Sequence, residues 1–132
     1  MATTTDYVLH VKVRLLISPI VASFTVVEEK VWSDRGYIRI RCVLTNGDVL
    51  EVAEYFVREQ GECRPERYRY QWMEGGTQKL CRRWDNVEHY PGLPNFPHHI
   101  HLSDGSVAPG ERLSIIQLLD VLEKNIAQDK VR

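Results

Sequence analysis

The chain has 132 residues, 43% of them apolar and 27% charged, with a formal net charge of −1. A length of this order supports one core that hides roughly two-thirds of the unfolded chain's surface, so residues 1–132 read as a single domain. The composition excludes a disordered tail, and the charge balance disfavours a uniformly basic nucleic-acid binder while leaving room for a local basic patch offset by acids elsewhere.

The three cysteines, Cys42, Cys63 and Cys81, are odd in number and form no C-x-x-C pair, which argues against a disulfide framework or a thiolate zinc site and for the reducing cytosol. The apolar stretch near the N-terminus is interrupted by His10, Lys12 and Arg14 and has no basic segment before it. Nothing is long enough to cross a bilayer, so a cytoplasmic protein without membrane contact is expected.

Residues 6–17 carry two patterns at once. Tyr7, Leu9, Val11, Val13 and Leu15 alternate like a strand, whereas Val8, Val11 and Leu15 form a helical stripe; Ser18 and Pro19 end the element in either case. VASFTVVEEKVW and YIRIRCVLT are strand-like, with the turn residues SDRG between them. Asn46-Gly47 then suggests a two-residue hairpin loop, because both central positions of a type I′ turn need positive φ. That loop would pair Thr45 with Asp48. Ile38, Ile40, Cys42, Leu44, Val49, Ala53, Tyr55 and Val57 would then face the core, with Arg39 across from Glu54 on the other side.

Gly75-Gly76 suggests a second two-residue loop between ERYRYQWME and TQKLCRRWD. Its register would set Tyr68 against Arg83, Tyr70 against Cys81 and Trp72 against Lys79, on one face with Asp85. Arg67, Arg69, Gln71, Leu80, Arg82 and Trp84 would take the other face. HHIHL reads as a short closing strand and SDGSVAPG as a lead into a helix. In that helix Ile115, Leu118, Leu119, Leu122 and Ile126 have i, i+3, i+4, i+7 spacing, and Glu111, Arg112, Glu123 and Lys124 stay in water. The fold class expected is α+β: an antiparallel meander of five or six strands with a C-terminal amphipathic helix packed on one face.

Four of the five histidines, His89, His98, His99 and His101, lie in the proline-punctuated stretch RRWDNVEHYPGLPNFPHHIHLSDG. On a strand His99 and His101 point the same way. They suit a general base and acid, since imidazole titrates near pH ~6.5. They equally suit one Zn²⁺ or another transition ion if His89, Asp85 or Glu54 supplies a third ligand, so a divalent metal is an allowed cofactor and none is required. Arg83 offers a planar fork for a phosphate, Tyr70 a hydroxyl for a phosphate oxygen, and Asp85 an anchor for a histidine or the arginine. Together these are the groups of a metal-free ribonuclease. Arg39, Arg41, Arg67, Arg69 and Arg82, with Tyr37, could form a basic aromatic surface for RNA. The plainer readings are loop histidines bonded to the backbone, an Arg83–Asp85 salt bridge, an Arg39–Glu54 surface pair and solvated arginines on a sheet face.

GYIRIRCVLTNGDVLEVAEYF, YRYQW and RRWDNVEHYPGLPNFPHHIHL resemble the TumE family of small prokaryotic toxins of type II toxin–antitoxin pairs, over residues 18–126. The W-D-N triplet, the spaced histidine and F-P-H-H-x-H are the specific part. Positions matching the family pattern are Glu54, Tyr68, Tyr70, Arg83, Trp84, Asp85, Asn86, His89, Pro97, His98, His99 and His101. Where that pattern has a proline and a histidine after W-D-N, this chain has Glu88 and then His89. The resemblance implies a helix for residues 6–17, a helix-turn-helix antitoxin as partner and a growth-arrest target. It leaves the oligomeric state open, with a homodimer allowed. The expected function is thus a toxin that cleaves RNA by histidine acid–base chemistry. The alternatives are a non-catalytic nucleic-acid- or partner-binding protein and a metal-dependent hydrolase or nuclease using His99 and His101.

Overall fold

The computed structural model describes residues 3–131, with side chains to residue 126; the remaining residues of the 1–132 span lie outside it. Helix α1 (Thr4–Ile17) is followed by strands β1 (Val21–Val31), β2 (Arg35–Leu44), β3 (Val49–Glu59), β4 (Glu62–Met73), β5 (Leu80–Asp85), β6 (His99–Leu102) and β7 (Val107–Pro109), and then by helix α2 (Ile115–Val131). The strands form one antiparallel sheet in chain order, β1 to β7. The α+β meander is as expected, with a seventh strand because Val107–Pro109, read as a lead into the helix, pairs with β6.

Helical periodicity prevails in α1. Thr3 and Asp6 make a reciprocal capping box, and Tyr7, Val8, Val11 and Leu15 are buried while Leu9 and Val13 are 58% and 42% exposed. A strand would have buried Leu9 and Val13 together with Val11. Helix α2 starts at a second capping box, in which Ser114 Oγ accepts from Gln117 N–H at 3.2 Å and Gln117 Oε1 accepts from Ser114 N–H at 2.9 Å. Both helices cover one face of the sheet, and Ile115, Leu118, Leu119, Leu122 and Ile126 join Ile38, Ile40, Leu50, Val52, Phe56, Tyr70 and Trp84 in one core. Glu123 does not stay in water: its carboxylate accepts from Arg14 at 2.8 and 2.7 Å and from Ser18 Oγ at 2.8 Å, tying α2 to the end of α1.

Both hairpin registers differ from the expected ones. Between β2 and β3 the Leu44 N–H bonds the Asp48 carbonyl at 2.8 Å and the Gly47 N–H bonds the Leu44 carbonyl at 2.9 Å, leaving a three-residue loop, Thr45 to Gly47. Only Gly47 there takes positive φ, at 91°, as a type I turn closed by a left-handed glycine requires. The pairing moves by one residue, to Ile38 with Glu54, Arg39 with Ala53 and Ile40 with Val52. A one-residue slip turns a strand over. Leu50, Val52, Glu54 and Phe56 therefore point into the core, and Val49, Ala53, Tyr55 and Val57 point away from it. Arg39 consequently does not face Glu54; Arg41 instead pairs with Glu51.

The Gly75-Gly76 loop is also longer, because Glu74 N–H bonds the Lys79 carbonyl at 2.8 Å across four residues in which Gly76 and Gln78 have positive φ. After a bulge the register is Trp72 with Arg82, Gln71 with Arg83, Tyr70 with Trp84 and Arg69 with Asp85. The slip of three residues again reverses the faces. Arg83 and Asp85 leave the side of Tyr68 and Tyr70 and join Arg69 and Gln71.

Truncating Leu119, fully buried between α2 and the sheet, opens a cavity; urea unfolding of Leu119→Ala is expected to show a loss of roughly 2–5 kcal/mol. The hydrogen bonds from Arg14, opposed by burial and aided by Ser18, hold the Glu123 carboxyl below the ordinary glutamate range. Its contribution is fully present above the unfolded value of about 4.3 and is lost as pH falls through the lower folded value. Thermal unfolding should therefore show Glu123→Gln less stable than the parent at neutral pH, with the gap closing under acid conditions.

Candidate active site on the open face of the sheet

The face away from the helices is built from polar rows running across the strands. Arg39, Ala53, Arg69, Asp85 and His99 are successive partners from β2 to β6, and Arg41, Glu51, Gln71, Arg83 and His101 form the next row. Tyr37, Tyr55 and Arg67 make a third. The two histidine rows end in one cluster, because antiparallel pairing of β5 with β6 sets Asp85 beside His99 and Arg83 beside His101.

Within the cluster, His99 Nε2 lies 2.8 Å from Asp85 Oδ1 and 3.1 Å from His101 Nε2, and His101 Nε2 lies 3.3 Å from Asp85 Oδ2. His99 and Asp85 are 2% and 3% exposed, whereas His101 and Arg83 are half-buried and reach solvent. Each member is held from behind. His99 Nδ1 donates to the Pro97 carbonyl at 2.9 Å, Asp85 Oδ1 accepts from Val87 N–H at 3.1 Å and Asp85 Oδ2 accepts from Arg83 Nε at 3.2 Å. The Tyr90 ring packs edge-on against His99 and His101, with centroids 4.9 and 6.0 Å away. Burial, followed by the nearby Arg83 guanidinium, pushes His101 below the ordinary histidine range.

The residues after β5 extend the sheet with a side chain. Asn86 accepts from Tyr68 N–H at 3.1 Å and donates to the Glu66 carbonyl at 2.8 Å, continuing the β4–β5 ladder beyond its last backbone pair. This pins the start of the 86–98 loop beside the cluster. A hollow of about 750 Å³ opens at Asn86, lined by Tyr37, Tyr55, Arg67 and Arg69 on one side and by Tyr68 and His98 on the other; Arg83, Asp85, His99 and His101 are not part of its lining.

The other sequence-derived candidates fall elsewhere. His89 is exposed, and its ring meets Tyr90 at 6.3 Å between centroids rather than the cluster. Arg82 lies in the opposite pleat, over the Trp84 ring at 5.9 Å, so it does not share a face with Arg39, Arg41, Arg67 and Arg69. Tyr70 and Glu54 are wholly buried under the helices. His98 is on that side too, its Nδ1 2.8 Å from the Tyr68 hydroxyl. Burial, then Arg112, lowers its pKa. Tyr90 and the Pro97 carbonyl were not anticipated, since neither the packing of a loop tyrosine nor the direction of a backbone carbonyl leaves a mark in sequence spacing.

Glu54 is structural. Its carboxyl bonds the Tyr7 hydroxyl, the Tyr70 hydroxyl at 2.5 Å and Ile115 N–H at 3.2 Å, joining α1, the sheet and α2. Burial drives its pKa up against these three bonds. The Tyr70 oxygen also lies 2.8 Å from the Leu113 carbonyl, and its single proton cannot serve both acceptors. A proton on Glu54 donated to Tyr70, with the Tyr70 proton given to Leu113, satisfies every group.

A seven-stranded sheet under two helices, with a carboxylate–imidazole cluster at the end of an arginine-bearing face, defines a small α+β protein that carries this cluster on its uncovered side. Residues 11–130 match the family described as Toxin TumE, and the chain belongs to that family. It is a toxin of a toxin–antitoxin system, and its partner is an antitoxin. No curated protein and no solved structure gives a significant match. Among the described residues no helix is long and apolar enough to cross a membrane.

Replacing Glu54 separates structure from chemistry. Glu54→Gln keeps both tyrosines bonded and is expected to retain the fold and growth inhibition. Glu54→Leu strands the Tyr7 hydroxyl and the Ile115 N–H, each worth about 1–3 kcal/mol, while Tyr70 keeps its bond to the Leu113 carbonyl, and should clearly lower the unfolding midpoint in urea.

Proposed function

We propose that this toxin acts on RNA, holding the phosphodiester backbone along the arginine-bearing sheet face and transforming it at the Asp85–His99–His101 cluster. The observation that carries this reading is the continuity of the polar rows: guanidinium groups at Arg39, Arg69 and Arg83 lead across adjacent strands to the cluster. Guanidinium forks match phosphate oxygens, and the tyrosines of the adjoining hollow offer surfaces for unstacked bases.

The spacing suits a joint centre better than a separated acid and base. Attacking and leaving oxygens of an in-line phosphoryl transfer lie on opposite sides of phosphorus. Imidazole nitrogens 3.1 Å apart do not straddle such a group. His89, exposed and outside the cluster, has no part in this scheme, and neither do the buried Tyr70 and Glu54. Asp85 and His99 form the buried base of the centre, His101 and Arg83 its solvent-facing side. The antitoxin, in this reading a helix-turn-helix DNA-binding protein, silences the toxin by covering that face, and both work in the cytoplasm.

Induction in a host lacking the antitoxin should arrest growth, and purified toxin should fragment total RNA. His101→Ala is expected to abolish both while keeping the melting temperature within a few degrees, and Arg69→Glu should weaken RNA binding and flatten its salt dependence. A shift in RNA mobility without fragmentation would instead assign the face to sequestration, and full toxicity of both variants would remove it from the function.

A further inference from the structure

The cluster's hydrogen-bond arithmetic does not close with protein atoms alone. The Pro97 carbonyl can only accept, so His99 carries its proton on Nδ1 and presents a lone pair at Nε2. That lone pair faces a carboxylate oxygen at 2.8 Å and a second ring nitrogen at 3.1 Å, and the second nitrogen faces the other carboxylate oxygen at 3.3 Å. Protons on the two Nε2 atoms and the carboxylate can make linear bonds across at most two of these three contacts at once. A cation among the three donors relieves them all.

We propose that Asp85, His99 and His101 hold a divalent first-row transition-metal ion, of which Zn²⁺ is the type. Three donor atoms bound at about 2.0–2.2 Å in tetrahedral geometry stand about 3.3–3.5 Å from one another. Here the two imidazole nitrogens are 3.1 Å apart and His101 is 3.3 Å from Asp85 Oδ2, while His99 is nearer to Oδ1 at 2.8 Å, so an ion would spread the His99–Asp85 pair slightly. Two imidazole nitrogens with one carboxylate favour such an ion over Mg²⁺ or Ca²⁺, which take oxygen ligands. The supporting bonds are those that orient metal ligands: a backbone carbonyl on the far nitrogen of His99, and Val87 N–H and Arg83 on the Asp85 carboxylate. Three protein ligands leave a further position, which a water or a phosphate oxygen would take. This deepens the RNA reading by naming what the reacting centre contains, and it rests on that reading only for the use of the ion.

The test is direct metal binding without RNA. Tag-free toxin is stripped with chelator, dialysed, and titrated with Zn²⁺ alone by calorimetry and with Co²⁺ alone by visible absorption. One equivalent should bind, the melting temperature should rise with Zn²⁺, and Co²⁺ should give d–d bands of a nitrogen- and oxygen-ligated ion. His101→Ala and His101→Gln should each weaken binding about 100-fold or more. A parent protein that takes up no ion, or His101 variants that bind as tightly as the parent, would overturn the site. RNA fragmentation is measured separately. Metal uptake without fragmentation retires the RNA reading and keeps the site, whereas fragmentation by a toxin that takes up no ion retires the site and keeps the RNA reading.

Discussion

Tyr70 and Trp84 face each other across β4 and β5 with both rings turned under the helices. That rung sets the parity of the whole sheet beyond it. In an antiparallel pair, neighbours of a core-facing residue must face out. Arg69 and Asp85, one step along, therefore lie on the open side. Strand β6 follows the same rule, burying Ile100 against the core and sending His99 and His101 to meet Asp85 and Arg83. Burial of two large aromatic side chains thus positions charged groups several ångströms away, and a β5 register shifted by one or three residues would turn Arg83 and Asp85 inward in place of Trp84.

The helix side contains one polar assembly of its own. Glu54 receives Tyr7 from α1, Tyr70 from β4 and the backbone of Ile115 at the start of α2, so both helices and the sheet meet at one carboxyl. An isolated charge at that depth would be costly, but a protonated carboxyl with every donor and acceptor matched is not. The arrangement locks the helices to the sheet and leaves the opposite face uncovered by any helix.

The two sides accordingly divide the histidines. His98 bonds Tyr68 on the covered side, while His99 and His101, one and three positions further on, meet each other on the open side. Alternation along a single short strand is enough to make that separation. Asn86, bonding the β4 backbone through its amide, holds the start of the 86–98 loop, and the local bond from His99 to the Pro97 carbonyl fixes its end.

Periodicity and local chemistry in the sequence determined the apolar stripe of α2, the strand-like runs, the family motif and the concentration of Arg83, Asp85, His99 and His101 in one stretch, because these depend on residues close in the chain. Loop lengths were not legible. Asn46-Gly47 fits a two-residue loop as well as the three-residue one adopted, and Gly75-Gly76 fits two or four. An uncertainty of one or three residues inverts a strand, which is why Glu54 and Tyr70 looked like partners of the histidines. It is also why Arg69 was assigned to the face opposite Asp85. Only the tertiary structure decided which pleat each residue occupied, since that choice is made by the core, where residues distant in sequence compete to be buried.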